Sequence, residues 1–260
     1  MNKNKDIERF EEILASGTKS RRSDAAYQLY WIFREGEGVK SDKKRAIGYL
    51  RIAAEDGLAD AMYQLGWHYY SGTFIRKNIV KSIEWYSKAA DKGDAWAQVE
   101  LGRIYFCGER GVKKDYSQAV RLFRKAARKK EEFAFFNLGL CYDYGKGVRQ
   151  SDAQACKYYA KAAEGGDVAA MCNLGATLAN CEGSQKDAVM WTRRAALRGD
   201  CKAQHNLGEW YASGECGLKA NRRRAMKWLA KSAEQGNKAA SKTLAKLIAE
   251  NGNLTKEESK

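Results

Sequence analysis

The chain has 260 residues, 44% of them hydrophobic and 11% aromatic, with 24 glycines, seven cysteines, no proline and a formal net charge of +15. No apolar run reaches the roughly 18 residues that a membrane-spanning helix needs, and the absence of proline removes polyproline segments and cis-proline turns. The charge favours acidic partners, nucleic acid included, and says nothing about fold.

Met1 to Phe10 is charged and no apolar stretch follows, so the cytoplasm is the expected compartment. Ile7, Phe10, Ile13 and Leu14 have the spacing of a short amphipathic helix, and residues 1–23 are assigned to an N-terminal capping helix and linker. A unit then recurs. Leucines at 29, 65, 101, 138, 174 and 207 are separated by 36, 36, 37, 36 and 33 residues. Each stands in a version of Ala-x-x-x-Leu-Gly-x-x-Tyr, as in Ala61 to Tyr69 and Ala134 to Tyr142. A second pattern follows each time, as in Ser82-Ile-Glu-Trp85 leading to Ala89-Ala90, or Ala155-Cys-Lys-Tyr158 leading to Ala162-Ala163. Both patterns have the period of a helix with one apolar face, so each unit reads as helix A, a turn and helix B. The repeats are bounded at 24–60, 61–96, 97–133, 134–169, 170–202 and 203–237.

Glycines punctuate the unit. Gly36 and Gly38, Gly108 and Gly111, Gly145 and Gly147, and Gly214 and Gly217 mark the turn between A and B. Asp42, Asp115 and Asp152 are placed to cap helix B, and Gly57, Gly93, Gly166, Gly199 and Gly236 to end it in a left-handed conformation. Glycine after the helix A leucine costs about 1 kcal/mol relative to alanine in a helix interior. Its recurrence at Gly66, Gly102, Gly139, Gly175 and Gly208 requires a packing reason, taken to be a close approach of helix B. The first repeat has Tyr30 there instead, the second has Phe74 at the second turn glycine, and the fifth is short, has Cys181 at the turn and is expected to turn irregularly. Ala240, Leu244, Leu247 and Ile248 define a last helix over 238–250, and the polar 251–260 reads as a disordered tail.

These spacings resemble the Sel-one-like repeats, relatives of the tetratricopeptide repeats, over residues 24–237. The resemblance implies an all-α right-handed solenoid of about six helix-turn-helix repeats with a capping helix at each end. It implies a scaffold or adaptor and no reaction. Some family members pair cysteines within each repeat. Here Cys107, Cys141, Cys156, Cys172, Cys181, Cys201 and Cys216 fall at different places in different repeats and read as buried free thiols.

In the tetratricopeptide arrangement helix A lines a concave face. Positions two and five residues from the repeat leucine then point into the groove, which selects Tyr27, Trp31, Tyr63, Trp67, Tyr70, Trp96, Arg103, Phe106, Phe133, Phe136 and Asp143 as partner-binding residues. The later repeats contribute Ala169, Cys172, Ala176, Ala179, Lys202, His205 and Glu209. Any one ring is as readily inter-repeat core, but tyrosine and tryptophan clusters are frequent anchors of binding. A second surface is basic: Arg121, Arg124, Lys125 and Arg128 share one stripe, and Arg224, Lys227 and Lys231 another. The plain reading of these stripes is a solvated outer face. His68 and His205 stand far apart without a recurring carboxylate partner, and no phosphate loop, metal-ligand spacing or nucleophile motif is present. No catalytic residue, metal or cofactor is expected. The expected function is a monomeric, non-enzymatic scaffold that binds a segment of a partner protein, acidic by charge, in the aromatic groove and so regulates or inhibits it. The alternative is an RNA-binding solenoid using the basic surface.

Overall fold

The computed structural model describes residues 3–257 apart from 37 and 110, with side chains described over residues 5–250. Among the described residues there are fourteen helices and no strand. After α1 (Lys3–Ser16) come six hairpins: α2 (Lys19–Glu35) with α3 (Lys43–Glu55), α4 (Ala59–Ser71) with α5 (Ile79–Asp91), α6 (Ala95–Cys107) with α7 (Tyr116–Arg128), α8 (Glu132–Asp143) with α9 (Asp152–Glu164), α10 (Val168–Ala179) with α11 (Gln185–Leu197), and α12 (Cys201–Ser213) with α13 (Arg222–Glu234). A last helix, α14 (Lys238–Glu257), follows. Two boundaries differ from the sequence reading. Helix A of the first repeat begins at Lys19, inside the stretch assigned to the cap, and α14 continues as helix to Glu257, through most of the expected tail. Residues 258–260 of that tail lie outside the described residues.

Local chemistry sets the ends of the helices. At the close of each B helix two backbone bonds form together, as in Gly93 N–H to the Ala90 carbonyl at 3.0 Å and Asp94 N–H to the Ala89 carbonyl at 3.0 Å. The same pair recurs at Gly57 and Leu58, Gly166 and Asp167, Gly199 and Asp200, and Gly236 and Asn237. This is the Schellman closure, and the residue at its hinge has positive φ. The third repeat makes it without glycine: Lys130 stands there at φ 62°. Asp94, Asp167 and Asp200 then cap the following A helices with their carboxylates. Helix B is capped by Asp42, Asn78, Asp115 and Asn221, and in the fourth repeat by Ser151, with the expected cap Asp152 one residue inside the helix. The cap residue also ties the hairpin shut, since its own N–H donates to a carbonyl in the last turn of helix A: Asp42 to Phe33, Asn78 to Tyr69, Asp115 to Tyr105, Ser151 to Tyr142, Asn221 to Tyr211. The fifth hairpin is the exception. Its A helix ends at Asn180 in a right-handed conformation where α2, α4, α6 and α12 end on left-handed glycines, and Ser184 begins α11 without a side-chain cap bond.

The helix A glycines are explained by what lies over them. A Cβ built on Gly66 meets the Tyr86 ring at 2.7 Å, on Gly102 the Phe123 ring at 2.6 Å, and on Gly139 the Tyr159 ring at 2.4 Å. At Gly208 the neighbour is Leu229 at 2.7 Å, and at Gly175 it is Thr192, whose backbone nitrogen also comes within 2.9 Å. The glycine is therefore required by a helix B side chain seated on the bare Cα, and the close backbone approach expected from the sequence is added at Gly175 and, at 3.2 Å from the Leu229 nitrogen, at Gly208. In the first repeat the exchange runs the other way: Tyr30 fills the site from helix A, and a smaller Leu50 stands at the position of Tyr86.

The chain forms two compact units, residues 1–134 and 135–260. In the first, Leu29, Tyr30, Phe33, Leu50, Leu65, Tyr86 and Ile104 belong to one buried cluster. In the second, Tyr159, Met171, Leu174, Leu207, Trp210 and Tyr211 do the same. A fully buried leucine contributes about 1.5–3 kcal/mol, and Leu65 and Leu207 have no exposed surface. The same polar bond occurs in both units: Gln98 Nε2 donates to the Ala90 carbonyl in the first, and Gln204 Nε2 to the Ala196 carbonyl in the second, both at 3.1 Å.

Candidate functional site

In the first unit the aromatic positions of α2 and α4 gather around a buried histidine. His68 has no exposed surface. Its Nδ1 lies 2.8 Å from the Thr73 carbonyl and its Nε2 2.9 Å from the Tyr30 hydroxyl. A carbonyl only accepts, so Nδ1 carries the hydrogen and Nε2 accepts from Tyr30. Arg34 in turn donates to the Tyr30 hydroxyl at 3.2 Å. Burial, the larger effect, pushes the His68 pKa down against the bond to Thr73. Phe74, held at φ 68°, stacks on the imidazole at 5.1 Å, and Trp67 meets it edge-on at 5.1 Å. The Phe74 departure from the repeat pattern thus provides one wall of the His68 pocket. His68 is a packing and hydrogen-bonding residue.

Tyr27 and Trp31 are half-buried, 6.0 Å apart and T-shaped, and the Arg34 guanidinium lies 4.5 Å over Trp31. Trp67, Tyr63 and Tyr70 are also half-buried and pack on the core. Tyr70 donates to the Glu109 carboxylate at 2.7 Å, and burial followed by that bond pushes its pKa up to about 12. Burial does the same to Tyr63, reinforced by Glu100 and Asp94. Arg103 is exposed and paired with Glu100 at 3.1 Å. Phe106 packs edge-on against Tyr116 at 5.4 Å. Trp96 and Phe133 differ from the rest: they are 44% and 48% exposed and touch each other at 5.3 Å.

In the second unit Phe136 is half-buried, tilted against Tyr159 at 6.0 Å. Asp143 accepts from the Tyr159 hydroxyl at 3.0 Å, a bond that ties helix A to the ring over Gly139. Cys172, expected to face the groove, is buried, and burial raises its pKa to about 12. His205 does have a carboxylate neighbour, Glu209, one turn along at 3.4 Å, and Glu209 also accepts from Thr243 at 2.9 Å. None of the seven thiols is in a disulfide; Cys141 and Cys172 are buried while Cys107 is exposed, so the expectation of buried thiols holds only in part. Among the described residues no group of three or more histidines, cysteines and carboxylates is placed to hold a metal ion.

The basic residues Arg121, Arg124, Lys125 and Arg128 on α7, and Arg224, Lys227 and Lys231 on α13, are all exposed. Several basic residues of helix B lie over a neighbouring ring: Lys88 over Trp85 at 4.2 Å, Arg194 over Trp191 at 4.8 Å and Lys231 over Trp228 at 5.0 Å. Part of the basic stripe therefore does structural work, its stems covering aromatic surface with the charge in solvent.

The sequence reading selected Asp143 and Glu209 but missed three acidic residues in the first unit, Asp60, Asp94 and Glu109. Asp60 lies five residues before Leu65, at a position the groove rule itself selects. Asp94 is the α6 cap, and Glu109 lies beyond the end of α6. Together with Tyr27, Tyr63, Gln64 and Trp96, Asp60 and Asp94 line a cavity of about 440 Å³.

The Sel1 repeat model matches six times, over residues 23–58, 59–94, 97–130, 134–167, 168–200 and 201–237. The chain belongs to the Sel1 repeat family. Members of this family generally act as non-catalytic scaffolds of protein–protein interaction. Among solved structures, c5321, a protective antigen present in uropathogenic Escherichia coli strains displaying an SLR fold, is 30% identical with a TM-score of 0.82, covering 94% of this chain and 52% of its own. A Sel1 repeat protein from Oxalobacter formigenes is 30% identical with a TM-score of 0.69, covering 88% of this chain and 99% of its own. A curated relative, an F-box protein of Arabidopsis thaliana, is 31% identical over 101 residues, 38% of this chain, which spans only 28% of that protein's length. The fold is thus the α-solenoid of the Sel1 repeats. No described helix is long and apolar enough to cross a membrane.

Proposed function

We propose that this Sel1 repeat protein is a non-catalytic adaptor that binds a segment of a partner protein along its helix A face and through that binding regulates or inhibits the partner. The observation that carries this reading is the row of rings on α2, α4 and α6, which are immobilised before any partner arrives. Tyr27, Trp31, Tyr63, Trp67 and Tyr70 are each fixed by ring contacts, hydrogen bonds or core packing, yet keep part of their surface in solvent. Rigid aromatic side chains lose little entropy on binding and make effective anchors. Trp96 and Phe133 extend the face with a pair that is about half exposed.

The test is co-purification of the full chain with its partner, identified by mass spectrometry, with and without nuclease. Replacing Trp31, Trp67 and Tyr70 together by alanine should abolish capture while circular dichroism shows the helices intact. Retained capture by that folded variant overturns the proposal. Capture that disappears with nuclease alone transfers the reading to nucleic acid on the basic stripes, for which the affinity must fall steeply with salt.

A further inference from the structure

The cavity lined by Tyr27, Asp60, Tyr63, Gln64, Asp94 and Trp96 opens on the proposed binding face and has a chemistry opposite to that of the chain as a whole. The chain carries +15, yet the only charged side chains lining this cavity are two carboxylates. Neither Asp60 nor Asp94 has an ion-pair partner among the described residues, where such pairs join Glu100 to Arg103 and Glu84 to Lys88 nearby. Lys129 is the nearby cation: its charge favours the Asp94 carboxylate, while its ammonium donates to the Gly93 carbonyl and lies outside the cavity lining. Asp94 already caps α6 through the Ala97 N–H at 2.6 Å, so its position is fixed. Burial holds its pKa above the ordinary carboxylate value, and the like charge of Asp60 adds to this. Two carboxylates thus stand beside three aromatic rings, and Lys129 offsets only part of the charge on Asp94, so the lining keeps a negative charge that an entering cation neutralises.

We infer that this cavity is a receptor for one basic side chain of the partner segment, and that the side chain is arginine. Resting on the adaptor reading above, the inference specifies the chemistry of the partner's anchor. A planar guanidinium stacks on a ring such as Trp96 or Tyr63, and its fork of donors matches carboxylates and an amide carbonyl such as that of Gln64. Lysine gains the charge attraction without the fork or the stacking. A phosphate or carboxylate meets two negative charges here, so the cavity rejects nucleic acid and acidic peptides whatever the rest of the surface does. The volume of about 440 Å³ lies at the small end of ligand sites, which run from roughly 300 to 1,000 Å³, and suits one side chain.

The experiment titrates the full chain with N-acetyl-arginine methylamide and follows the Trp96 indole N–H by NMR, the signal being assigned by its loss in Trp96→Phe. N-acetyl-lysine methylamide and N-acetyl-citrulline methylamide serve as controls, the second being the same shape without the charge. The arginine probe should give a saturable shift, the lysine probe a weaker one and the citrulline probe none. In Asp60→Asn with Asp94→Asn the arginine affinity should fall by about tenfold or more, while asparagine keeps the cap of α6. No shift with arginine, equal shifts with arginine and citrulline, or an unchanged affinity in the double variant each overturn the inference, and lysine binding as tightly as arginine overturns the choice of side chain. Partner capture separates this inference from the adaptor reading. If capture is lost in the Trp31, Trp67 and Tyr70 alanine variant but kept in the double asparagine variant, the face binds and the arginine receptor is wrong. If the arginine probe binds while the triple variant still captures the partner, the receptor stands and the adaptor face is wrong.

Discussion

Replacing Gly102 by alanine sets two effects against each other, and the structure decides the sign. Alanine improves helix propensity by about 1 kcal/mol. Its Cβ, however, falls 2.6 Å from Phe123 Cε1 and 2.9 Å from Cδ1, and Phe123 is fully buried and unable to swing away. Overpacking of this kind costs about 1–3 kcal/mol, so Gly102→Ala should be neutral to destabilising by about 2 kcal/mol net. Phe123→Ala alone should cost about 3–5 kcal/mol through the cavity it leaves. In that background the added methyl has room, and Gly102→Ala should turn stabilising by about 1 kcal/mol. Gly48, in α3 with nothing within 4 Å of its Cβ direction, is the control: Gly48→Ala should stabilise by about 1 kcal/mol. Urea denaturation of the four members of the cycle, followed by circular dichroism, measures a coupling of about 1–3 kcal/mol. An effect of Gly102→Ala that has the same sign and size with and without the Phe123 ring would refute the ring-over-glycine account of the repeat.

Lys130 holds a left-handed conformation where the other repeats have glycine; relief of about 1–2 kcal/mol of strain, less the added freedom of the unfolded chain, about 0.4–1 kcal/mol, leaves Lys130→Gly stabilising by about 0.5–1 kcal/mol in the same denaturation assay. Burial lowers the pKa of His68, so the unfolded chain takes up a proton at about pH 6.5 while the folded chain does not. The stability of the neutral ring is complete above that pH and is lost as pH falls toward the folded value. The urea midpoint should therefore fall with pH below about 6.5 and fall less steeply in His68→Gln; equal slopes refute the assignment. Thiol labelling of the native chain should modify Cys107 first and leave Cys141 and Cys172 until unfolding, following their exposure.

The sequence by itself determined what is local. The hairpin period, the glycine at the close of helix B and most helix caps depend on groups within a turn or two of one another, and a 3.6-residue period makes such neighbours readable in order along the chain. Asp42 and Asp115 act as read, and where the reading slipped, at Asp152 and Ser151, it slipped by one residue, which is what ambiguous neighbouring cap formers allow. The tertiary structure alone decided which side chains meet across repeats. That Tyr30 gives its hydroxyl to His68, 38 residues away, that Cys172 turns inward while Trp96 stays half exposed, and that Asp60 and Asp94 join three rings in one cavity all depend on the register in which one hairpin lies on the next. Contacts between hairpins, such as Tyr30 on His68 and Tyr70 on Glu109, hold that register, and groups from separate repeats combine only once the chain has folded.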